Sequence, residues 1–189
     1  MLYLASASPR RRELLQMLGL QITVCPADID EYMDPARDPA EEVARVSALK
    51  AAAAVAPEDA IVIAADTIVV CDGEVMGKPH DVSGAERMLR KLLGNTHRVL
   101  TGVTVKRGEQ LLTRTVTTHL RFREALPGEL EAYLATGESL DKAGAYGIQG
   151  RAAIFCEAMD GDYYNVMGLP LCELSQMLHT FGVGTIQGE

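Results

Sequence analysis

Apolar and polar positions follow two periods along this chain. Leu2-Tyr3-Leu4-Ala5 is a short apolar run of the kind a buried strand makes, and it leads through Ser6-Ala7-Ser8-Pro9 into Arg10-Arg11-Arg12-Glu13-Leu14-Leu15. There Ser8 fits an N-cap, Pro9 the first helical position and Gly19 the stop. Gln21 to Cys25 alternates like a second strand, and Asp38-Pro39 opens a second helix with apolar positions at helical spacing. Ala60 to Ala65 reads as a strand buried on both faces; Asp66 and Thr67 interrupt it, Ile68 to Cys71 resume it, and Asp72-Gly73 closes it as a hairpin turn. A third helix starts at Asp81 or Ser83, with Ala85, Met88, Leu89 and Leu92 as its packed stripe. His97 to Lys106 and Gln110 to Phe122 read as a long hairpin about Arg107-Gly108-Glu109. A fourth helix runs from Pro127-Gly128-Glu129 to Gly137, Ala152 to Cys156 reads as a strand, and a last helix follows Pro170. The tail from Val183 to Glu189 is expected to fray. With no internal repeat and no linker, a single domain over residues 1–189 is expected.

Composition narrows the partners. A chain of 189 residues, 48% apolar, is long enough for one well-buried core or two small lobes. The net charge of -8 argues against a nucleic-acid partner, although a small anion could be held by a local basic cluster. No apolar run approaches the roughly 20 residues needed to span a bilayer. The N-terminus carries its charges after its apolar part, the reverse of a signal peptide, so a cytoplasmic protein with no membrane partner is expected. Cys25, Cys71, Cys156 and Cys172 are widely spaced and flanked by apolar residues, and read as buried thiols in a reducing compartment.

Asp66 is the first candidate for chemistry. A carboxylate inside a buried strand costs several kcal/mol unless it is paired, coordinated or shifted in pKa. It reads equally as a structural ion-pair partner and as a working acid or base. Gly77-Lys78-Pro79 places a cation in a rigid turn nearby in sequence. The Ser8 to Arg12 turn presents backbone N–H groups and adjacent arginines at a helix N-terminus, where a phosphate is favoured; it is not a Walker loop, because the glycines and the Gly-Lys-Ser/Thr ending are missing. Asp28, Asp30 and Glu31 form an acidic loop after a strand, suited to a hard divalent cation or merely solvated. Lys50 lies on an alanine-rich helix face, where it either snorkels to water or meets the Asp66 strand. Lys142 to Gly150 puts three glycines among a lysine, a tyrosine and a glutamine, a composition that brings backbone close to a ligand and leaves an amide and a ring to meet a base. His97 has no second histidine or cysteine near it and reads as structural.

Five separated stretches, SASPRRRELL, AADTIVV, GKP, KAGAYGIQG and GDYYNVMGLPL, occur in one order, and together they resemble the Maf family of nucleoside triphosphate pyrophosphatases once linked to septum formation. The KAGAYGIQG form resembles the branch acting on dTTP and UTP, and the branch acting on 7-methyl-GTP carries a different loop there. One departure is Leu93-Gly94, where the family often has Ser-Gly. The resemblance implies an elongated α/β fold, similar to the inosine triphosphatase-like superfamily, with a twisted mixed sheet flanked by helices and two lobes about a central cleft. It implies hydrolysis of dTTP and UTP, with dUTP and modified pyrimidine nucleotides as further candidates, to monophosphate and pyrophosphate with Mg²⁺ or Mn²⁺. By motif, Asp66 matches the catalytic base; Arg10, Thr67 and Gln149 match positions tied to base selectivity; Ser8, Arg11, Lys50 and Lys78 lie around the phosphates; Glu31 with Asp66 matches the metal position. A homodimer rests on the family alone.

The residues point to compatible chemistry on their own account. A triphosphate carries about four negative charges, so an acidic protein must assemble a local cationic pocket, for which the arginine turn, Lys50, Lys78 and Lys142 are candidates. A nucleotide-binding regulator of division would keep those contacts without needing Asp66, and a phosphotransferase would need a second substrate site.

Overall fold

The computed structural model describes residues 1–186. Seven strands form one mixed sheet flanked by helices: β1 (Leu2–Leu4), β2 (Ile22–Val24), β3 (Ile61–Cys71), β4 (Glu74–Met76), β5 (Thr96–Arg107), β6 (Gln110–Phe122) and β7 (Cys156–Asp160). The order is β2-β1-β3-β5-β6-β7, with β4 paired to β3. β1 pairs in parallel with both β2 and β3, in register Leu2↔Ile22 and Leu2↔Ile61. β3–β4 and β6–β7 are antiparallel. The helices are α1 (Pro9–Met17), α2 (Pro39–Ala53), α3 (Val82–Leu92), α4 (Glu129–Ala135), α5 (Tyr163–Met167) and α6 (Leu171–Thr180). No helix of the described residues is long and apolar enough to cross a membrane. The chain divides into two compact units: residues 1–66, 101–116 and the segment from Gly168 onward make the first, and residues 67–100 and 117–167 the second.

In the first unit, α2 is the element that matters for the site. Asp38 caps it by accepting from the Ala40 N–H at 2.7 Å, with Pro39 in the first turn. Its buried stripe of Val43, Val46, Ser47, Lys50 and Ala51 follows the helical period. Small side chains let the helix lie close to the sheet: Ala51 packs with Ala5, Val62 and Ala64, the face of β3 that also carries Asp66. A Cβ on Gly102 would stand 2.3 Å from the Val43 carbonyl oxygen, so only glycine fits there. Hydroxyls complete the seating, through Ser47 to Thr104 at 2.8 Å, Thr104 to Thr113 at 2.9 Å, and Thr115 donating to the Ala40 carbonyl at 2.9 Å.

The second unit closes around aromatic rings. Ala85, Leu89 and Leu92 of α3 pack with Phe122, Tyr133, Tyr146 and Phe155. His97, Phe122 and Tyr146 meet edge to face, and His97 Nε2 lies 2.9 Å from the Tyr146 hydroxyl. This histidine is structural, and burial pulls its pKa down to about 4, so the ring is neutral.

Several local readings need correction. β3 runs unbroken through Asp66 and Thr67, because neither residue prevents extended backbone. Ala152 to Cys156 is not a strand; Arg151–Phe155 is a 3₁₀ turn and β7 begins at Cys156. Its apolar run hides a period of three, with Ala152 and Phe155 buried and Ile154 exposed. The one-turn helix α5 went unforeseen. Of the four free thiols only Cys71 is buried; Cys25 and Cys156 are half-buried and Cys172 is exposed.

Candidate active site

The candidate residues fall into two clusters, one in each unit. In the first unit Asp66 lies mid-strand and Lys50 reaches it from α2, donating to Asp66 Oδ1 at 2.7 Å. The same ammonium stands 2.9 Å from Glu31 Oε1. The Lys50 and Asp66 side chains are 9% and 10% exposed, whereas Glu31 is 57% exposed, so one lysine joins a buried carboxylate to a solvated one. Lys50 therefore does not snorkel to water.

The acidic loop that carries Glu31 is tied to α2 by a second network. The buried Glu42 carboxylate accepts from Arg45 Nε and Nη2 at 3.0 and 2.8 Å and from the Asp34 N–H at 2.9 Å, while Arg45 Nη2 also donates to the Tyr32 carbonyl at 2.6 Å. The Arg45 hydrogen bonds, then the Asp34 amide, hold the Glu42 carboxyl down at about 2. Glu42 and Arg45 thus fix Tyr32, the neighbour of Glu31, against the helix bearing Lys50. Their spacing of three on a helix was visible in the sequence, but nothing there distinguished it from a solvated surface pair.

The arginine turn belongs to this cluster. Ser8 is the N-cap of α1, with its hydroxyl toward the Arg11 N–H at 3.5 Å. Arg11 Nε donates to the Gly168 carbonyl at 2.8 Å and Nη1 to the Ser6 hydroxyl at 3.1 Å. Burial pushes the Arg11 guanidinium below its ordinary value, Asp66 pulls it back, Arg10 pushes it down again and Glu31 raises it. Arg11 therefore feels both carboxylates. Arg10 is half-buried beside it in the first turn. Asp66 and Glu31 set against Lys50, Arg10 and Arg11 leave a net positive centre, which suits an anion. Ser6 and the Gly168 carbonyl were not foreseen; Ser6 had only its place before the cap to signal it.

The second unit holds the other candidates. The Gly144 N–H donates to the Gly77 carbonyl at 3.1 Å, which joins the Gly77-Lys78-Pro79 turn to the glycine-rich stretch. Lys78 and Gln149 are both exposed. Thr67 is half-buried and follows Asp66 in β3, so strand alternation turns it to the opposite face. The glycines here meet packing demands. Gly144 has a φ of +68° and a Cβ there would meet Val69 Cγ2 at 2.8 Å; one on Gly147 would meet Lys142 Cε at 2.7 Å. Ala145 holds a φ of +62°, a strain of about 1 kcal/mol for a non-glycine residue. Lys142 donates to the Glu138 carbonyl at 2.8 Å and to Asp141, so it braces the loop from within.

The class of fold is shared with a HAM1 protein from Coxiella burnetii, at a TM-score of 0.55 and 14% identity over 95% of this chain and 98% of that one. Residues 1–181 match the family described as Maf-like protein. The chain belongs to the Maf family. It is 51% identical over 186 residues to the dTTP/UTP pyrophosphatase of Moorella thermoacetica, covering 96% of this chain and 95% of that protein. Identity is 50% over 188 residues to the dTTP/UTP pyrophosphatase of Symbiobacterium thermophilum, covering 99% and 97%. It is also 50% over 182 residues to the namesake protein of Geobacter sulfurreducens, covering 95% of each.

Proposed function

We propose that this chain is a nucleoside triphosphate pyrophosphatase that hydrolyses dTTP and UTP to the monophosphate and pyrophosphate, a cytoplasmic house-cleaning enzyme. The observation that carries the chemistry is Asp66, a carboxylate buried in β3 and held at 2.7 Å by Lys50. Full-length identity of about half to relatives bearing that activity in their names supports the substrate class.

In this reading Asp66 accepts a proton from the attacking water, and Lys50 fixes the rotamer that does so. Ser8, Arg11 and Lys78 meet phosphate oxygens as donors and fixed positive charge. Arg10, Thr67 and Gln149 address the base. Uracil and thymine offer O4 as an acceptor where cytosine offers an amine, so a donor held at that edge rejects cytosine.

The donor set also fits a hard cation. Glu31 Oε1 and Asp66 Oδ1 converge on one positive group, at 2.9 and 2.7 Å from Lys50 Nζ. Two carboxylate oxygens leave most positions of a hard cation to other oxygen ligands, as when Mg²⁺ or Mn²⁺ is shared with substrate phosphates. Glu31 and Asp66 would hold it. A bound Mg²⁺ would neutralise charge on the phosphoryl oxygens.

The test is hydrolysis of a nucleotide panel in ¹⁸O-water with Mg²⁺. Pyrophosphate release with label in the monophosphate is expected, and EDTA should abolish turnover until Mg²⁺ is restored. Label in orthophosphate beside a nucleoside diphosphate would replace this reading with an ordinary phosphatase.

A further inference from the structure

The turn that carries Gln149 rests on a carboxylate. The Gly150 N–H donates to the Gly147 carbonyl at 3.0 Å and closes a four-residue turn with Ile148 and Gln149 at its centre. Glu138, just past α4, fills the inner side of that turn. Its Oε2 accepts from the Arg151 N–H at 3.1 Å, and its Oε1 lies 3.4 Å from the Tyr133 hydroxyl. A Cβ on Gly150 would fall 1.9 Å from Glu138 Oε1, and one on Gly147 would fall 3.3 Å from the same oxygen. At Gly150 this carboxylate occupies the space a side chain would need, and at Gly147 the Lys142 stem takes most of that space, with the carboxylate behind it. From the other side, Lys142 donates to the Glu138 carbonyl at 2.8 Å, and its stem packs against Gly147.

We propose that Glu138 is a positioning residue for base selectivity: its carboxylate sets the Gly147–Gly150 turn and, through it, the direction in which Gln149 is presented. The proposal rests on the reading above that Gln149 addresses the base. Physically, an amide side chain discriminates donor from acceptor only when held in one orientation, because a free amide flips to suit either edge. Gln149 is exposed, so its own packing does not hold it. The turn beneath it sets where its Cα–Cβ bond points, and that turn is shaped by Glu138.

The test measures kcat and KM for dTTP, UTP and CTP in wild type and in Glu138→Ala, Glu138→Gln, Gln149→Ala and Gly150→Ala, with thermal melts alongside. Glu138→Ala should lower the dTTP-to-CTP ratio of kcat/KM about tenfold, the worth of one misdirected buried hydrogen bond. The loss should come through KM for dTTP, with kcat at saturation within about threefold of wild type, because no group at Asp66 is touched. Glu138→Gln keeps an acceptor for the Arg151 N–H and should restore most of the ratio. Gly150→Ala retains Glu138 and displaces its carboxylate. Gly150 has a φ of -102°, open to any residue, so the variant acts by collision alone and should reproduce the loss even if Glu138→Ala fails to fold. An unchanged ratio in folded Glu138→Ala or Gly150→Ala, with a lowered one in Gln149→Ala, overturns the role of Glu138 and leaves the enzymatic reading intact. A wild type that does not prefer dTTP to CTP, or a Gln149→Ala that keeps the preference, removes the reading of Gln149 and this inference with it.

Discussion

Replacing Lys50 by methionine should expose how much of the first unit's stability hangs on one ammonium. The substitution keeps length and apolar stem but removes the charge 2.7 Å from Asp66 Oδ1. At an effective dielectric of 20, a pair at that distance attracts by about 6 kcal/mol before desolvation is subtracted. Removing one partner of a buried pair costs roughly 3–5 kcal/mol, because the other charge stays behind uncompensated. Lys50→Met should therefore lose about 3 kcal/mol, on the order of a 150-fold shift in the folding equilibrium. Urea melts read this directly. Lys50→Met/Asp66→Asn, which neutralises the stranded charge, should recover at least about half of the loss without recovering pyrophosphate release. The two carboxylates on this lysine should separate cleanly. Glu31 is mostly solvated, so Glu31→Gln should cost less than about 1 kcal/mol. A Lys50→Met protein within about 1 kcal/mol of wild type, or a double variant no more stable than the single one, would refute the reasoning.

Asp66→Asn should keep the fold and lower kcat by on the order of 10²-fold or more on every substrate, the scale of a lost general base; near wild-type turnover in steady-state assays would take Asp66 out of the mechanism. Gly102→Ala puts a methyl 2.3 Å from the Val43 carbonyl oxygen and must push α2 off the sheet, costing about 1–3 kcal/mol in a melt and lowering activity through Lys50. Acid should unfold the protein through two windows. His97 is held below its ordinary 6.5, at about 4, so its contribution is complete above pH 6.5 and drains away as pH falls to about 4. Glu42 is held below its ordinary 4.5, at about 2, so its contribution drains between those values. Urea melts from pH 7 to 3 should show a flatter upper window in His97→Gln and a flatter lower one in Glu42→Gln, and an unaltered slope in either would reject that assignment.

Much of this was legible in the residue pattern and some was not, for physical reasons. The capped turn at Ser8-Pro9, the buried run around Asp66 and the Asp72-Gly73 hairpin are local events, set by caps, burial and backbone preference, and the structure has each of them. Lys50 was ambiguous because its environment depends on where α2 docks, and that is decided 52 residues on, by the missing side chain of Gly102. The glycines of the 144–150 stretch read as room for a ligand, and the structure adds a packing reason for them that the stretch alone does not show, because Val69, Glu138 and Lys142, all outside residues 144–150, stand where their side chains would be. Ala152 to Cys156 reads as a strand because five residues are too few to separate a period of two from one of three.

The crossover that carries α2 has a consequence for the order in which the chain folds. β1 meets β3 in parallel, Leu2 opposite Ile61, so this pairing waits for a loop of about 60 residues to close, whereas the β5–β6 hairpin needs only a two-residue turn. α2 lies inside that long loop, and it is both the cover that takes water away from the Asp66 face of β3 and the carrier of Lys50. Dehydration of the carboxylate and arrival of its cation are therefore one kinetic event: until the helix lands, Asp66 stays hydrated, and once it lands, the charge is already matched. Wiring of this kind is expected to spare the folding chain the barrier of a sealed, lone anion.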